Sequence, residues 1–476
     1  MSLRPARLLA LATGAFGVGF SALAVLQQRA FWTGRFDLGN LTQAVWSTAH
    51  GHPLSMTDLQ GRQISRLGAH FDPLVAVLAP AWLVWPHPSL LLVVQAIGVG
   101  LGAPAVYLLA SKHLESEWAG LGFALAYLLY PPTQWLVLDD FHPVAFAAPL
   151  LLWGFWFLDG DRLVAFAAVA VPAALTKEQV GLVVAAIGVW YAFRPGRRRQ
   201  GIAIALAGAA VSVVALLVII PHFAPAGSSP FASRYDRVGG SPSGIVRTAV
   251  TDPATIAREA TKPSDRGYVV NLLLPLLALP LVSPGTALTA APEIGLNLLS
   301  STRTQTSIHF HYTAAAIPGL FAAAIFGAAR LRRRSRLVRR LLPRLLVIAG
   351  LIAGYALGPM PLWRLVPGGS TLATREHVVS AHARAAARVI SVIPKGEPVS
   401  ATNALGAHLS ARRRILSFPL TRGVTWVAVD TTRPSYLDEA AAPTKFAEAL
   451  AAIEQRGTFR LVRAEDGVRV YRLRRG

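Results

Sequence analysis

The apolar residues of this chain arrive in blocks of about fifteen to twenty-five with scarcely a charge inside, and arginine-rich connectors separate several of the blocks. A helix needs about 20 apolar residues to cross the hydrocarbon core of a bilayer, whereas a barrel strand needs about ten. Only these two structures satisfy their own backbone polar groups in lipid. Block length therefore predicts a polytopic α-helical membrane protein. Charged residues make up only 15% of the chain, against about 25% in soluble domains. A net charge of +22 raises the question of nucleic acid, but the arginines cluster between apolar blocks, as in cytoplasmic loops. Nucleic acid is set aside as a partner, because no fold that reads it could house this much apolar sequence. The chain has no cysteine, which excludes disulfides and thiolate metal sites.

Arg4 and Arg7 precede a first span at 8–30, which lacks a small-residue cleavage site and reads as a retained helix. Further spans are expected at 89–111, 119–138, 144–159, 163–176, 179–193, 201–221, 268–282, 286–300, 313–330 and 343–360, about eleven in all. The stretch 73–86 is apolar but short and holds Pro73, Pro80 and Pro86, so it reads as a dip or interfacial helix. Eleven spans place all three basic regions on one side: the N-terminus, Arg194–Arg199, and the run through Arg330, Arg332, Arg333, Arg334, Arg336, Arg339, Arg340 and Arg344. The positive-inside rule makes that side cytoplasmic. The N-terminus is then cytoplasmic, and the C-terminal segment lies outside the bacterial cell membrane. The expected division is a transmembrane domain at 1–360 and a small soluble α/β domain at 361–476. In the latter, 374–391, 404–411 and 441–456 read as helices, and 398–402, 414–418 and 425–430 as strands. The segments 459–463 and 468–473 read as a hairpin around Glu465-Asp466-Gly467. The loop 222–267 is rich in Pro, Gly and Ser and carries Arg234, Tyr235, Asp236 and Arg237. A loop of that length is functional or disordered.

The groups able to do chemistry fall on the outer side. Asp37, in Arg35-Phe36-Asp37-Leu38-Gly39-Asn40, is a carboxylate at the interface that can deprotonate a hydroxyl, or simply a turn acid. His70 and Asp72 could bind a metal or a phosphate, or start the segment at Pro73. Asp139, Asp140 and His142 form a denser cluster and are the candidates for a divalent cation such as Mg or Mn. Lys177 and Glu178 interrupt an apolar run as an ion pair or a phosphate contact. Glu293 lies about a turn inside the membrane. Arg303 is followed by His309, His311 and Tyr312, and alternation puts the two histidines on one side of an extended segment. No Walker motif or dinucleotide fingerprint is present, which argues against an ATP-driven pump.

Seven stretches carry a resemblance: FDLGNLTQAVWSTAHG (36–51), HFDPLVAVLAP (70–80), LLLVVQAIG (90–98), YPPTQWLVLDDFHPVAFAAPLLL (130–152), LTKEQVGL (175–182), APEIGLNLLSS (291–301) and HYTAAAIPGLF (311–321). Over roughly 30–320 the chain resembles a family of bacterial polytopic membrane proteins of unknown function grouped with the GT-C glycosyltransferases. Its tail VSATNALGAHLSARRRILSFP (399–419) is similar to the soluble end of such transferases. GT-C enzymes take a sugar from a polyprenyl-phosphate carrier at the extracytoplasmic face and keep their acid in the first external loop. The resemblance thus implies a GT-C-like fold, a polyprenyl-phosphate-linked sugar and an extracytoplasmic glycan, lipid or protein acceptor. It also implies Asp37 as general base, although this chain has a single Asp-Leu-Gly where several members have paired acids. The competing readings are a transporter or flippase of a lipid-linked or small substrate, and a non-catalytic envelope-assembly protein.

Overall fold

The computed structural model describes residues 3–333, 335–372, 375–439 and 443–474; Arg334 of the basic run lies outside them. It is mainly helical. Among the described residues four helices are long and apolar enough to cross a membrane: Arg4–Arg29, Ser89–Leu114, Arg198–Phe223 and Arg340–Leu357. A fifth candidate, Glu117–Leu129 with Pro131–Leu138, bends by 45°. The bend has a local cause, since Tyr130 precedes two prolines and is held extended at ψ 119. Shorter apolar helices fill the other expected positions, at Pro143–Asp159, Leu163–Ala174 and Val180–Ala192, with Ile317–Arg332 beyond them.

The expected span at 268–282 is a different object. A helix at Arg266–Leu273 gives way to 3₁₀ turns at Leu274–Leu276 and Leu279–Val282. Leu277 and Ala278 between them are left-handed, both at φ 52. Pro275 and Pro280 withhold the N–H groups that a continuous helix would use. The stretch 286–300 is likewise broken, into Pro284–Ala287, Leu288–Ala290 and Ala291–Leu299. Pro73–Leu78 is a 3₁₀ turn leading into the short helix Ala79–Val84, and Val77, Leu83 and Val84 are exposed on it.

Close helix pairing uses small residues. The helix Val180–Ala192 packs along Arg198–Val214. A Cβ on Gly188 or on Gly201 would run into the backbone of Ala205 or of Ala192. That is how helices approach in lipid, where association relies on van der Waals contact.

Between the first long helix and the helix that starts at Ser89, β1 (Ser55–Thr57) and β2 (Gln63–Ser65) form a short antiparallel ribbon. The C-terminal part holds β3 (Val399–Ala401), β4 (Ile415–Ser417), β5 (Trp426–Asp430), β6 (Phe459–Glu465) and β7 (Val468–Leu473), in the order β4-β3-β5-β7-β6. β3 pairs parallel with β4 and with β5, whereas β7 runs antiparallel to both its neighbours. The hairpin turns on Asp466 and Gly467, both at positive φ, as the Asp-Gly pair predicts. The helix expected at 374–391 covers only Ala381–Ile390, capped by the Ser380 side chain. The last helix is Pro443–Gln455; residues 374, 441 and 442 lie outside the described ones. Asn403–Leu409 is the helix between β3 and β4. One apolar core runs from Leu9 to Leu346, and a second joins Ala383–Val470 to Phe31 of the helical part. The two parts are therefore packed together beside the turn that carries Asp37.

Candidate functional site

Asp37 stands in a π-helical turn, Arg35–Gly39, that opens onto the helix Asn40–Ala49. Such turns recur at functional sites because they re-aim a side chain out of the regular helical ladder. The side chain is 41% exposed, and the space it faces is a cavity of about 460 Å³, within the range of about 300–1,000 Å³ common for small-ligand sites. His70, Asp72, His142, Lys177, His311 and Tyr312 line the same cavity.

His142 is the nearest partner of Asp37, its Nε2 lying 3.4 Å from Oδ1. Its Nδ1 is 2.7 Å from the Asp139 carbonyl. A carbonyl only accepts, so Nδ1 carries a hydrogen, and Nε2 can donate to Asp37 only when the ring is an imidazolium. Burial pushes His142 down, but Asp37 and Asp139 outweigh it and hold the ring above its ordinary range. Burial pushes Asp37 up, yet the His142 contact and the charges of His142, Arg66 and His70 hold it below the ordinary carboxylate range. The pair thus favours a carboxylate facing an imidazolium.

His311 is arranged the opposite way. Its backbone N–H and its Nδ1 both meet Asp139 Oδ2, at 2.7 and 2.9 Å. Its Nε2 is 3.3 Å from Lys177 Nζ. An ammonium only donates, so this ring accepts at Nε2 and is neutral. Burial, then the charges of His142 and Lys177, push it well down. The two imidazoles stack with centroids 3.6 Å apart, an arrangement that tolerates one charge and not two. Burial, with Asp37 adding to it and His142 opposing, pushes Asp139 up to about 6.

The other expected residues divide. Asp72 is held by Arg66 through contacts of 2.7–3.2 Å, a neutralised bidentate pair. His70 bonds Glu178 at 2.9 Å and stacks on Phe231 at 4.5 Å. Glu178 also accepts from the Phe71 N–H at 3.0 Å, so it supports His70 from behind the cavity wall. Burial pushes Glu178 up, but His70 and Lys177 outweigh it and bring it down to about 2. Asp140 turns away from the cavity and accepts from the Gly34 N–H at 2.9 Å, bracing the Asp37 turn. Burial and the Asp37 charge push it up to about 8. Glu293 is buried, 3.4 Å from the Gln179 amide.

Two expectations fail on placement. Arg303 is exposed and does not line the cavity. His309 rests against Trp135, with ring centroids 4.9 Å apart, and not beside His311. Alternation does not apply, because residues 308–310 turn and His311–Thr313 is a 3₁₀ turn.

Arg234 belongs to the site although its place in the sequence marked only a long polar loop. It lines the cavity, donates to the Tyr312 hydroxyl at 3.2 Å and lies 4.5 Å from the Phe231 ring centre. Lys177 lies 5.0 Å from the Tyr312 ring centre. Among the described residues neither cation pairs with a carboxylate, so each keeps donors free for an anion. The available signal was an arginine between Phe231 and Tyr235 in a Pro/Gly loop.

A cation was expected at Asp139, Asp140 and His142. Asp140 is spent on Gly34, and the group whose ligand atoms lie within 4.8 Å of one another is Asp139, His142 and His311. Two imidazoles and one carboxylate suit a borderline ion such as zinc better than Mg or Mn. All four ring nitrogens already have partners, so an ion would have to displace Asp37, Lys177 or the Asp139 contacts.

The family described as "Predicted membrane protein (DUF2079)" matches residues 28–470. The chain belongs to this family. No curated protein matches this DUF2079 member by sequence. Among solved structures it is similar to the crystal structure of ArnT from Cupriavidus metallidurans bound to undecaprenyl phosphate. The TM-score is 0.55 at 13% identity, over 97% of each chain. At this identity the likeness establishes that the DUF2079 chain shares the ArnT fold.

Proposed function

We propose that this DUF2079 protein is an integral-membrane glycosyltransferase that moves a sugar from a polyprenyl-phosphate donor to an acceptor hydroxyl. The observation that carries the reading is one cavity walled by two kinds of group. Among the described residues, Asp37 is a carboxylate with a single loose partner, and Lys177 and Arg234 are cations in direct contact with no carboxylate. In this reading Asp37 removes the proton of the acceptor hydroxyl, whose oxygen attacks the anomeric carbon as the bond to the phosphate oxygen breaks, with inversion. The phosphate leaves with the electron pair. Its charge is met by Lys177, Arg234 and the Tyr312 hydroxyl, donors held in place before the charge develops. His142 keeps Asp37 ionised between turnovers. The undecaprenyl phosphate bound to ArnT supports a polyprenyl carrier as the donor class.

The topology is part of the proposal: about eleven crossings of a bacterial inner or plasma membrane, a cytoplasmic N-terminus, and the cavity and C-terminal domain outside, where a glycan, lipid or protein acceptor waits. A divalent cation is proposed only at Asp139, His142 and His311, where it would supply Lewis-acid stabilisation of developing phosphate charge. Metal analysis of the purified protein with and without chelator tests it.

The deciding experiment compares envelope glycans, by mass spectrometry, from a deletion strain complemented with the native chain or with Asp37→Asn. The reading expects one glycan feature lost on deletion, restored by the native chain and not by equally expressed Asp37→Asn. Restoration by Asp37→Asn would remove Asp37 from catalysis.

A further inference from the structure

The turn that carries Asp37 is held from two sides. On one side, Gly34 N–H reaches Asp140. On the other, Arg35 leaves the helical part and is sunk into the C-terminal domain, 1% exposed. Its Nη1 donates to Ser417 Oγ at 2.7 Å, and its Nη2 donates to the carbonyls of Ile415 and Thr57, both at 2.9 Å. The next residue, Phe36, donates its N–H to Asn403 Oδ1 at 3.1 Å. Asn403 is itself fixed, its N–H donating to Asp438 at 2.8 Å. No space is left between the two parts. A Cβ on Gly39 would sit 2.6 Å from Ser410 Oγ, and one on Gly406 would sit 2.9 Å from Arg35 Cβ.

Ser417 ends β4 and Asn403 follows β3, so these two contacts lie at the carboxyl ends of adjacent parallel strands, while the Ile415 carbonyl extends the grip of Arg35 to the first residue of β4. Open parallel sheets take their ligands in the crevice at that edge. Here the crevice is filled by Arg35 and Phe36 of the same chain. A buried guanidinium spends its donors on neutral oxygens only where geometry matters, because losing it leaves several buried carbonyls unpaired. We infer that the C-terminal domain is not an acceptor-binding module at this edge but a clamp, and that Arg35 is the positioning residue through which it sets the place of Asp37 in the cavity. The clamp is read from contacts alone; its catalytic consequence rests on the transferase reading above.

The chain has no cysteine, so Asp37→Cys in the full-length protein is a clean reporter of position. Its labelling rate by a membrane-impermeant maleimide in nanodiscs is compared in Arg35, Arg35→Ala and Arg35→Lys backgrounds. Arg388→Ala, which breaks the distant pair with Glu465 in the same domain, is the control. The expected change is about tenfold for Arg35→Ala, because thiol reactivity follows exposure and local charge; Arg35→Lys should recover part of it, and Arg388→Ala should not move it. If Arg35→Ala fails to fold, Asn403→Ala and Ser417→Ala each remove one contact, and each should shift the rate two- to fivefold, roughly in proportion to exposure. Rates that stay at the parent value in every folded variant overturn the clamp.

With Asp37 intact, Arg35→Ala should lower kcat at least about tenfold, as a misplacement of about 1 Å can do. The donor KM and the binding of undecaprenyl phosphate, read by native mass spectrometry, should stay within about threefold, and Arg35→Lys should restore part of kcat. A labelling shift with kcat unchanged keeps the clamp and overturns Asp37 as the general base. A KM rise with kcat unchanged and no labelling shift would instead make this edge an acceptor site and overturn the clamp.

Discussion

The segment Pro143–Asp159 has a charged cluster at each end, and the two are built on opposite plans. At its far end Asp159 is 3% exposed and saturated: Lys112 lies 2.6 Å away, His113 2.9 Å and Arg194 2.6 Å. Its neighbour Asp161 is bound by Arg197 at 2.5 Å and by the Tyr191 hydroxyl at 2.7 Å. At its near end His142 faces Asp37, whose only side-chain partner among the described residues is that ring at 3.4 Å. The nearby cations touch an imidazole and a phenol rather than acids. Both ends are rich in charge, but only one holds charge in reserve. The Asp159 cluster is structural, since removing its cations would strand a buried carboxylate. Unsaturated groups leave capacity for a ligand, which is why residue counts alone would rank the two ends equally.

The largest expected effect separates the two aspartates. Asp37→Asn should cut transfer by about 10²–10⁴-fold, the usual contribution of a positioned base, with the melting temperature nearly unchanged. Asp159→Asn should do the reverse, destabilising the protein by about 1.5–3 kcal/mol because Lys112 and Arg194, both partly solvated, lose their shared acid. Thermal unfolding in detergent beside a transfer assay reads both. A well-folded Asp159→Asn protein without transfer would break the comparison.

Next come the cations. Lys177→Ala and Arg234→Ala should each weaken undecaprenyl phosphate binding about ten- to a hundredfold, given about 1.5–3 kcal/mol for a hydrogen bond to a charged group. Arg194→Ala should leave binding alone. Equal losses in all three would mean that bulk positive charge, and not the cavity wall, attracts the lipid.

Smaller shifts concern protons. The His142 contact holds Asp37 down, so His142→Asn should move the acid limb of the transfer pH profile upward; an unmoved limb would dissociate the pair. Asp140 is raised from 3.8 to about 8. A raised acid keeps in the folded state a proton that the unfolded chain has released. The contribution of Asp140 to stability is therefore greatest below 3.8 and falls as pH rises through the window to about 8. Asp140→Asn should flatten that decline between about pH 6 and 8, measured as melting temperature against pH.

Much of the architecture was legible because its causes are local. Block length predicted the helices, Tyr130-Pro131-Pro132 marks the bend, and Asp466-Gly467 marks the hairpin. The broken stretch at 268–282 was legible in part, since Pro275 and Pro280 were visible but hydropathy outweighed them. In the candidate site, His142 and His311 were found as residue types and their roles were not. The His311–Asp139 contact joins residues 172 apart in the chain. His309 was misplaced because alternation assumes an extended segment where the chain turns.

By itself, the sequence determined that this chain spans a membrane, which segments are helical, and that its polar groups gather in a few connectors. These follow from the cost of exposing backbone and charge to lipid, a cost each segment bears alone. Only the tertiary structure decided which acid is left free, which histidine is neutral, that Arg234 joins the site, and that Arg35 ties the Asp37 turn to the C-terminal sheet. Those depend on hydrogen-bond partners brought together across more than a hundred residues, where a difference of one ångström separates a spent group from a free one.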